Sequence, residues 1–453
     1  MSTAATTHRR VPFAEAVRHR KLANGARLYV LENHFNPTLA LSGTLCAGRI
    51  FAPAERRLIA SLTAGELMKG TAKRTKLQLA EDLESRAASL SLSSDASDPV
   101  GVDVSGAALS RETDVLFGAL AEVLRTPTFP QDELEKEKKR LVGSIRQQQD
   151  QTSVRAHERA LARIYPPAHP LHRLTGQERI DRAEALMRED LASFYAERYG
   201  AGSFALVVVG DVDAERILDR LEADFGDWAP GPPTPIAAPP VPPVSPGIEI
   251  VSMADKASAD VVIASPADLR RMDEDFLAFS LANAALGQSS LTSRLGVRVR
   301  DTEGLTYGIH SSISATHVAG PFAVSLTVKP DSRDAAVASA LDEIDKFLRG
   351  GMTEKELVEE KSSRVGRFKV DLGSNSGIAD ALDAAVYYGF GVSYLDEFPA
   401  RVAAVTREEA DAAFARRVRP ADFTIVSAGT FPSEGSTESA GSALANVKES
   451  RSE

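Results

Sequence analysis

Three observations predict an α+β chain of two similar domains, each a mixed β-sheet packed with helices. Long stretches recur at nearly one offset, strand-like and helix-like segments interleave in both copies, and one proline-dense segment divides them. DELEKEK at 132–138 parallels KELVEEK at 355–361, 223 residues on. REDLASFYAERYGAGSFALVVVGD at 188–211 parallels REEADAAFARRVRPADFTIVSAGT at 407–430, 219 residues on. Two separate stretches at almost the same spacing mark a duplication. Between the copies lies APGPPTPIAAPPVPPVSPG at 229–247, whose nine prolines forbid helix or central strand and favour an extended, semi-rigid spacer. The expected organisation is a domain at 20–228, a linker at 229–247, a second domain at 248–430 and a disordered Ser/Gly/Glu-rich tail at 431–453.

Within the first copy, ARLYVLE (26–32), LALSGTLCAG (39–48), VGVDVSGAAL (100–109) and FALVVVG (204–210) read as strands. They are short, rich in β-branched residues and partly alternating. LIASLTAGELM (58–68), LQLAEDLESRAASL (77–90), ETDVLFGALAEVLRT (112–126) and DELEKEKKRLVGSIRQQQDQ (132–151) read as helices. The second copy repeats the scheme with ADVVIASP (259–266), helical DEDFLAFSLANAALG (273–287), then LTYGIHSSISA (305–315) and PFAVSLTVKP (321–330) as strands. Adjacent strand pairs mixed with helices give a mixed sheet covered by helices.

At 453 residues the chain suits two ordinary cores. A net charge of −10 argues against nucleic acid, whose phosphates would be repelled. No apolar run reaches the roughly 20 residues that span a bilayer. The N-terminal MSTAATTHRRVPFAEAVRHR is basic but lacks a signal-peptide core, so the cytoplasm is the expected compartment. Cys46 is the single cysteine and sits in an apolar run, which favours a buried structural thiol over a nucleophile. His169 and His172 stand three apart in a Pro-rich loop without supporting ligands, so packing is the better reading. His157, His310 and His317 have no evident metal partner. GSNSG at 373–377 has Asn375, not serine, at its centre and so lacks a nucleophile.

The helix around 57–69 runs into Lys69-Gly70-Thr71. In that form it is similar to the helix bearing the inverted zinc motif of the pitrilysin/insulinase family, His-x-x-Glu-His followed by a Lys-Gly-Thr turn. LANGARLYVLEN (22–33), YPPAHPLHRLTGQE (165–178), LVVVGDVD (206–213) and LTSRLGVRVRDTEGLTYGI (291–309) also resemble family segments in order and spacing, so the likeness spans about 20–430. Laid on this chain, the motif places Ser61 and Gly65 at the two histidines and Ala64 at the catalytic glutamate. The third ligand falls on Ser144, seven residues after Glu137. Two imidazoles at i and i+4 share one helix face and can grip zinc, and a carboxylate between them can deprotonate its water. Serine, glycine and alanine can do none of this. Glu66, Glu133 and Glu137 remain nearby and read as solvated carboxylates on helix faces.

The second copy keeps what the first has lost. Arg300 and Tyr307 match an arginine and tyrosine with which family members bind substrate, in register with SRL at 293–295 and GLTY at 304–307. A guanidinium and a phenol can each donate a hydrogen bond to a peptide carbonyl. By residue type alone, Arg300 reads as a surface charge and Tyr307, alternating with Leu305 and Ile309, as core. Arg298 reads as a merely solvated charge.

The resemblance implies a fold of the mitochondrial processing peptidase type, with two α+β domains facing each other around a peptide cavity. It further implies a non-catalytic subunit with no cofactor of its own. Zinc would belong to a homologous partner carrying an intact His-x-x-Glu-His, and the substrate would be an unfolded peptide. A non-enzymatic scaffold or peptide-binding module, and a stand-alone peptidase with a displaced metal site, are the alternatives.

Overall fold

The computed structural model describes residues 11–94, 97–231, 236–237, 239–243 and 246–431. The expected disordered tail lies outside the described residues from 432 on, as do parts of the proline segment. The first sheet comprises β1 (Arg18–Lys21), β2 (Arg27–Glu32), β3 (Thr38–Leu45), β4 (Ser89–Ser93), β5 (Val102–Leu109) and β6 (Ala205–Gly210), in the order β1-β2-β6-β3-β5-β4. The second comprises β7 (Gly247–Ser252), β8 (Ala259–Pro266), β9 (Thr306–Ala315), β10 (Ala319–Val328) and β11 (Thr424–Gly429), in the order β7-β11-β8-β10-β9. Without β1, the two orders match strand for strand. In each sheet one pair is parallel, β2 with β6 and β7 with β11, and the other pairs are antiparallel. The fold is therefore α+β with two mixed sheets, as the duplication predicts.

The run in β6 departs from clean alternation because both faces of the strand are buried. Leu206 and Val208 join the core of the first half with Leu28, Leu41 and Phe117. Val207 and Val209 face the other way and pack on Ile378 and Leu382, from helix Asn375–Tyr387 of the second half. The relation is reciprocal. Val261 and Ile263 of β8 join the second core, while Val262 and Ala264 pack on Ala160, Leu161 and Ile164 of helix Thr152–Ile164 from the first half. Thus each half lends one helix to the other's sheet. Polar ties line the first of these seams. Asn33 Nδ2 donates to Asn375 Oδ1 at 2.6 Å, Thr44 Oγ1 donates to Asp383 Oδ2 at 2.7 Å, and Tyr387 OH donates to Asp98 Oδ2 at 2.7 Å.

Three strands depart from the sequence reading. The predicted helix 77–90 ends at Glu84; Ala87 turns with φ +53°, and the serine-alternating SLSLS forms edge strand β4. β1, RHRK, has no apolar alternation, and β7, GIEIVS, shows it only over a short run directly after the proline segment; both are placed by pairing with β2 and β11. The predicted helix at 273–287 forms as Phe276–Asn283 and continues as wider π turns to Gln288.

The exchanged helices make a prediction about the proline segment. Cleaving the chain between Ala229 and Gly247 should give two fragments that elute together on size exclusion. Separating them would expose both apolar helix–sheet seams to water. Fragments that part or unfold on nicking would show that chain continuity, not packing, holds the halves.

Candidate functional site

The helix that resembles the zinc-binding helix is Leu58–Glu66, tightening into a 3₁₀ turn at Leu67–Lys69. Ser61 is exposed and its hydroxyl donates to the Leu58 carbonyl at 3.1 Å. Ala64 is fully buried. At Gly65 a side chain would meet nothing within 4 Å, so the space for one is present and the donor is not. Ser144, on helix Gln131–Gln148, accepts a bond from Gln148 Nε2 at 3.3 Å. Among the described residues, no group of three or more histidines, cysteines or carboxylates is placed to hold a metal ion.

Glu66 overturns its reading as a solvated carboxylate. It is 0 % exposed, and among the described residues neither carboxylate oxygen has a hydrogen-bond partner. Burial pushes its pKa up to about 7, with Glu137 and Glu133 adding to the shift and Lys69 opposing it. The other two carboxylates are paired. Glu137 is chelated by Arg140 and held below the usual range, and Glu133 meets Lys136 at 2.6 Å and Lys76 at 2.9 Å. The reason lies in the helix, whose apolar residues wrap most of its circumference and leave Glu66 no solvent face.

The segment bearing Arg300 and Tyr307 is anchored from behind. Arg294 Nε and Nη2 meet the two Glu356 carboxylate oxygens at 2.6 and 2.7 Å, and its guanidinium lies over the Phe347 ring. Arg300 is half-buried in the wide turns Gly296–Thr302, 3.3 Å from Asp301. Gly304, at φ +64°, reverses the chain into β9 while its amide donates to the Arg300 carbonyl at 3.1 Å. Ile309 is buried, but Tyr307 is 62 % exposed, so it is not core.

The cause is a β-bulge. Gly308 pairs with Thr327 and Thr306 with Val328, leaving Tyr307 as the extra residue, turned outward. The Thr306 hydroxyl closes the bulge: it accepts the Gly308 amide at 3.2 Å and shares its one proton between the Thr327 carbonyl at 2.7 Å and the Gly308 carbonyl at 2.8 Å. Periodicity could not show this, because one extra residue inverts the facing of everything after it. Arg298 is also corrected. It is gripped by Asp342 at 2.6 Å and by Glu303 and Glu343 at 3.1 Å, so it is structural, not merely solvated.

The structure does not gather all these residues at one point. Ser61 lines a cavity of about 170 Å³ with Arg57, His172 and Arg179. Arg49 and Arg173 are shared between it and a larger cavity of about 710 Å³ that reaches β9 and Arg271 of the second half. Arg300 and Tyr307 line neither. The histidines serve packing. His169 is stacked on Tyr165 and accepts the Leu171 amide, and burial with the charges of Arg57 and His172 pushes its pKa down to about 4. His172 Nδ1 bonds the Tyr165 carbonyl at 2.7 Å, and His317 stacks on Tyr388 and edges Tyr387, partners the sequence did not reveal. Burial raises the Cys46 thiol to about 11, against a nucleophilic role. No helix among the described residues is long and apolar enough to cross a membrane.

Known proteins match this arrangement. The family model described as "Peptidase M16 inactive domain" matches residues 185–364. A non-peptidase homolog of Helicobacter pylori is 23 % identical over 78 % of this chain and 80 % of its own length. An uncharacterized zinc protease of Streptomyces coelicolor is 25 % identical over 51 % of each chain. Among solved structures, a peptidase M16 inactive domain from Pseudomonas fluorescens superposes with a TM-score of 0.82 at 26 % identity, covering 92 % of this chain and 99 % of its own. A protease of Helicobacter pylori superposes at 0.81 with 15 % identity, covering 92 % of this chain and 100 % of its own, a likeness of fold. With the duplicated sheets, the helix at Leu58–Glu66 and these relatives together, the chain is similar to inactive members of the pitrilysin/insulinase (M16) peptidase family.

Proposed function

We propose that this chain is the non-catalytic, substrate-binding subunit of a two-chain pitrilysin-like zinc peptidase that acts on unfolded peptides in the cytoplasm. A homologous partner would carry His-x-x-Glu-His and the zinc, which supplies the activated water. This chain would supply Arg300 and Tyr307 and one wall of the peptide chamber. The supporting observation is Tyr307 itself. A bulge latched by Thr306 turns a large aromatic out of the core, which costs sheet pairing and burial and is of use only if something meets the phenol. Leu291 and Val297 of the same segment are exposed too, as a surface awaiting a partner would be.

In this reading Arg300 and Tyr307 each donate a hydrogen bond to the carbonyl oxygen of the bond being cut. Those bonds strengthen as that oxygen gains negative charge. The test is purification with and without the homologue that bears the intact motif. The chain alone should hold no stoichiometric zinc and cleave no unfolded peptide, whereas the pair should co-elute, carry zinc on the partner and cleave. One tightly bound zinc per isolated chain with chelator-sensitive proteolysis would support the displaced-site peptidase instead. A stable pair whose activity ignores this chain would leave a scaffold.

A further inference from the structure

The chain is acidic overall, at −10, yet the large cavity between its halves and the small one beside it in the first half are not. Among the described residues, no carboxylate lines either the 710 Å³ or the 170 Å³ cavity, while Arg49, Arg57, Arg173, Arg179 and Arg271 do. A third cavity, of about 500 Å³, shares Arg173 and Arg179 and brings in Glu158 and Asp260, both already engaged. Glu158 meets Arg179 at 3.0 Å, and Asp260 accepts from the Thr152 and Thr327 hydroxyls at 2.5 Å each. Among the described residues, two of the arginines have hydrogen-bond or ring partners that are neutral. Arg57 donates to the carbonyls of Pro167, Ala168 and His169, and the Arg271 guanidinium lies 4.3 Å from the centre of the Phe276 ring.

Neighbouring groups register the excess positive charge. Beyond the effect of burial, Arg57 is pushed down by Arg182, His157 by Arg173, and Arg364 by Arg271 and Arg367, against opposing pulls from Glu55, Glu158 and Glu360 respectively. The cavity wall also includes Ser312, Ile313 and Ser314 of β9, the edge strand of its sheet, paired with β10 on one side. On the other side Ser290 Oγ bonds the Ile309 amide and carbonyl at 2.9 Å each and Asn283 donates to the Ser311 carbonyl at 3.5 Å, so the open edge lies at 312–315. Leu161, Leu171 and Phe276 add apolar surface.

We propose that the cavity between the two halves is a groove for extended peptides bearing acidic side chains, laid along the outer edge of β9 with their carboxylates toward Arg271, Arg173 and Arg57. The edge strand offers main-chain hydrogen bonds to an extended chain, the apolar wall takes alternate side chains, and the guanidiniums select the sign of the rest. A small polyanion would use the arginines but neither of the other two features. This assignment presupposes the peptide-binding role proposed for the chain and names the class of peptide.

The purified full chain should be titrated, by fluorescence anisotropy, into three labelled peptides. One alternates glutamate with leucine, one alternates lysine with leucine, and one is the glutamate peptide with N-methylated backbone amides. The acidic peptide should bind at least about tenfold tighter than the basic one at low salt, with the gap closing as salt rises. N-methylation should abolish binding. Arg271→Ala should weaken the acidic peptide about five- to tenfold while its melting temperature stays that of the parent. Equal or tighter binding of the lysine peptide overturns the charge class while leaving a peptide-binding chain. Retained binding of the N-methylated peptide, or full competition by inorganic triphosphate, shows an anion site and overturns the groove. If no peptide of either charge binds, the peptide-binding role beneath the assignment falls with it.

Discussion

Tyr307→Phe should lower kcat/KM of the proposed two-chain peptidase about 10- to 150-fold, the loss expected when one hydrogen bond worth roughly 1.5–3 kcal/mol in the transition state is removed. The substitution keeps the ring and deletes only the hydroxyl. Because that ring is 62 % exposed, neither folding nor the chain's own core should register the change. Arg300→Ala should cost turnover by a similar factor and also raise KM, since a guanidinium grips a carbonyl before as well as during reaction. Arg298 cannot serve as the neutral control, because its three carboxylate partners make its removal a folding defect. Lys355, whose side chain is 83 % exposed and 3.8 Å from Glu359, can. Thr306→Val should lower kcat in the same direction through a loosened bulge, and Thr306→Ser, which restores the hydroxyl, should recover it. Unchanged activity of Tyr307→Phe in a stable complex would reduce this chain to a scaffold.

Asp383→Asn flattens the pH dependence of the melting temperature. Asp383 is buried against the first sheet, and burial raises its pKa to about 7; Asp103 and Asp380 add to the shift, while the Thr44 hydroxyl and Arg27 oppose it. One carboxyl oxygen accepts from Thr44 and the other has no partner among the described residues. The sign follows from a folded pKa above the unfolded one. Below about pH 4 both states hold the proton and the group contributes no slope. As pH rises toward 7 the unfolded chain ionises while the folded chain keeps its proton, and stability falls, on the order of 4 kcal/mol in all. Above pH 7 the folded group ionises too and the curve levels. Asparagine keeps the acceptor for Thr44 and cannot ionise. The drop in melting temperature between pH 5 and pH 8 should therefore shrink relative to the parent. Glu66, raised to about 7 as well, supplies the parent-like slope that remains. Parallel curves for parent and variant would show that Asp383 does not titrate in this window.

What the sequence disclosed and what it withheld have physical causes. Central strands such as β3, β6 and β8 were legible because burial on both faces selects long apolar runs. The edge strands β1 and β4, RHRK and SLSLS, have little to bury and so leave little trace. The resemblance of helix Leu58–Glu66 to a zinc-binding helix was legible residue by residue, since the Lys69-Gly70-Thr71 turn fixes its register. Glu66 was misread because a helix apolar on most sides has no wet face for a period to reveal. Tyr307 carried a family signal, but its direction depends on the bulge at Thr306–Gly308, a one-residue shift in pairing that only the partner strand β10 defines. The cavity arginines lie far apart in sequence, from Arg49 to Arg271, and their charge is masked in a chain of net −10.

The trading of helices between the halves sets a constraint on biosynthesis. When β6 leaves the ribosome at Gly210, the first sheet has every strand it will have, yet Val207 and Val209 still lack their cover. That cover is helix Asn375–Tyr387, more than a third of the chain later in synthesis. The nascent first domain must therefore wait with an apolar face bare while the whole second sheet except β11 is made. A ribosome paused within the second sheet, after β6 has emerged, would present that face to the cell as a binding site for chaperones.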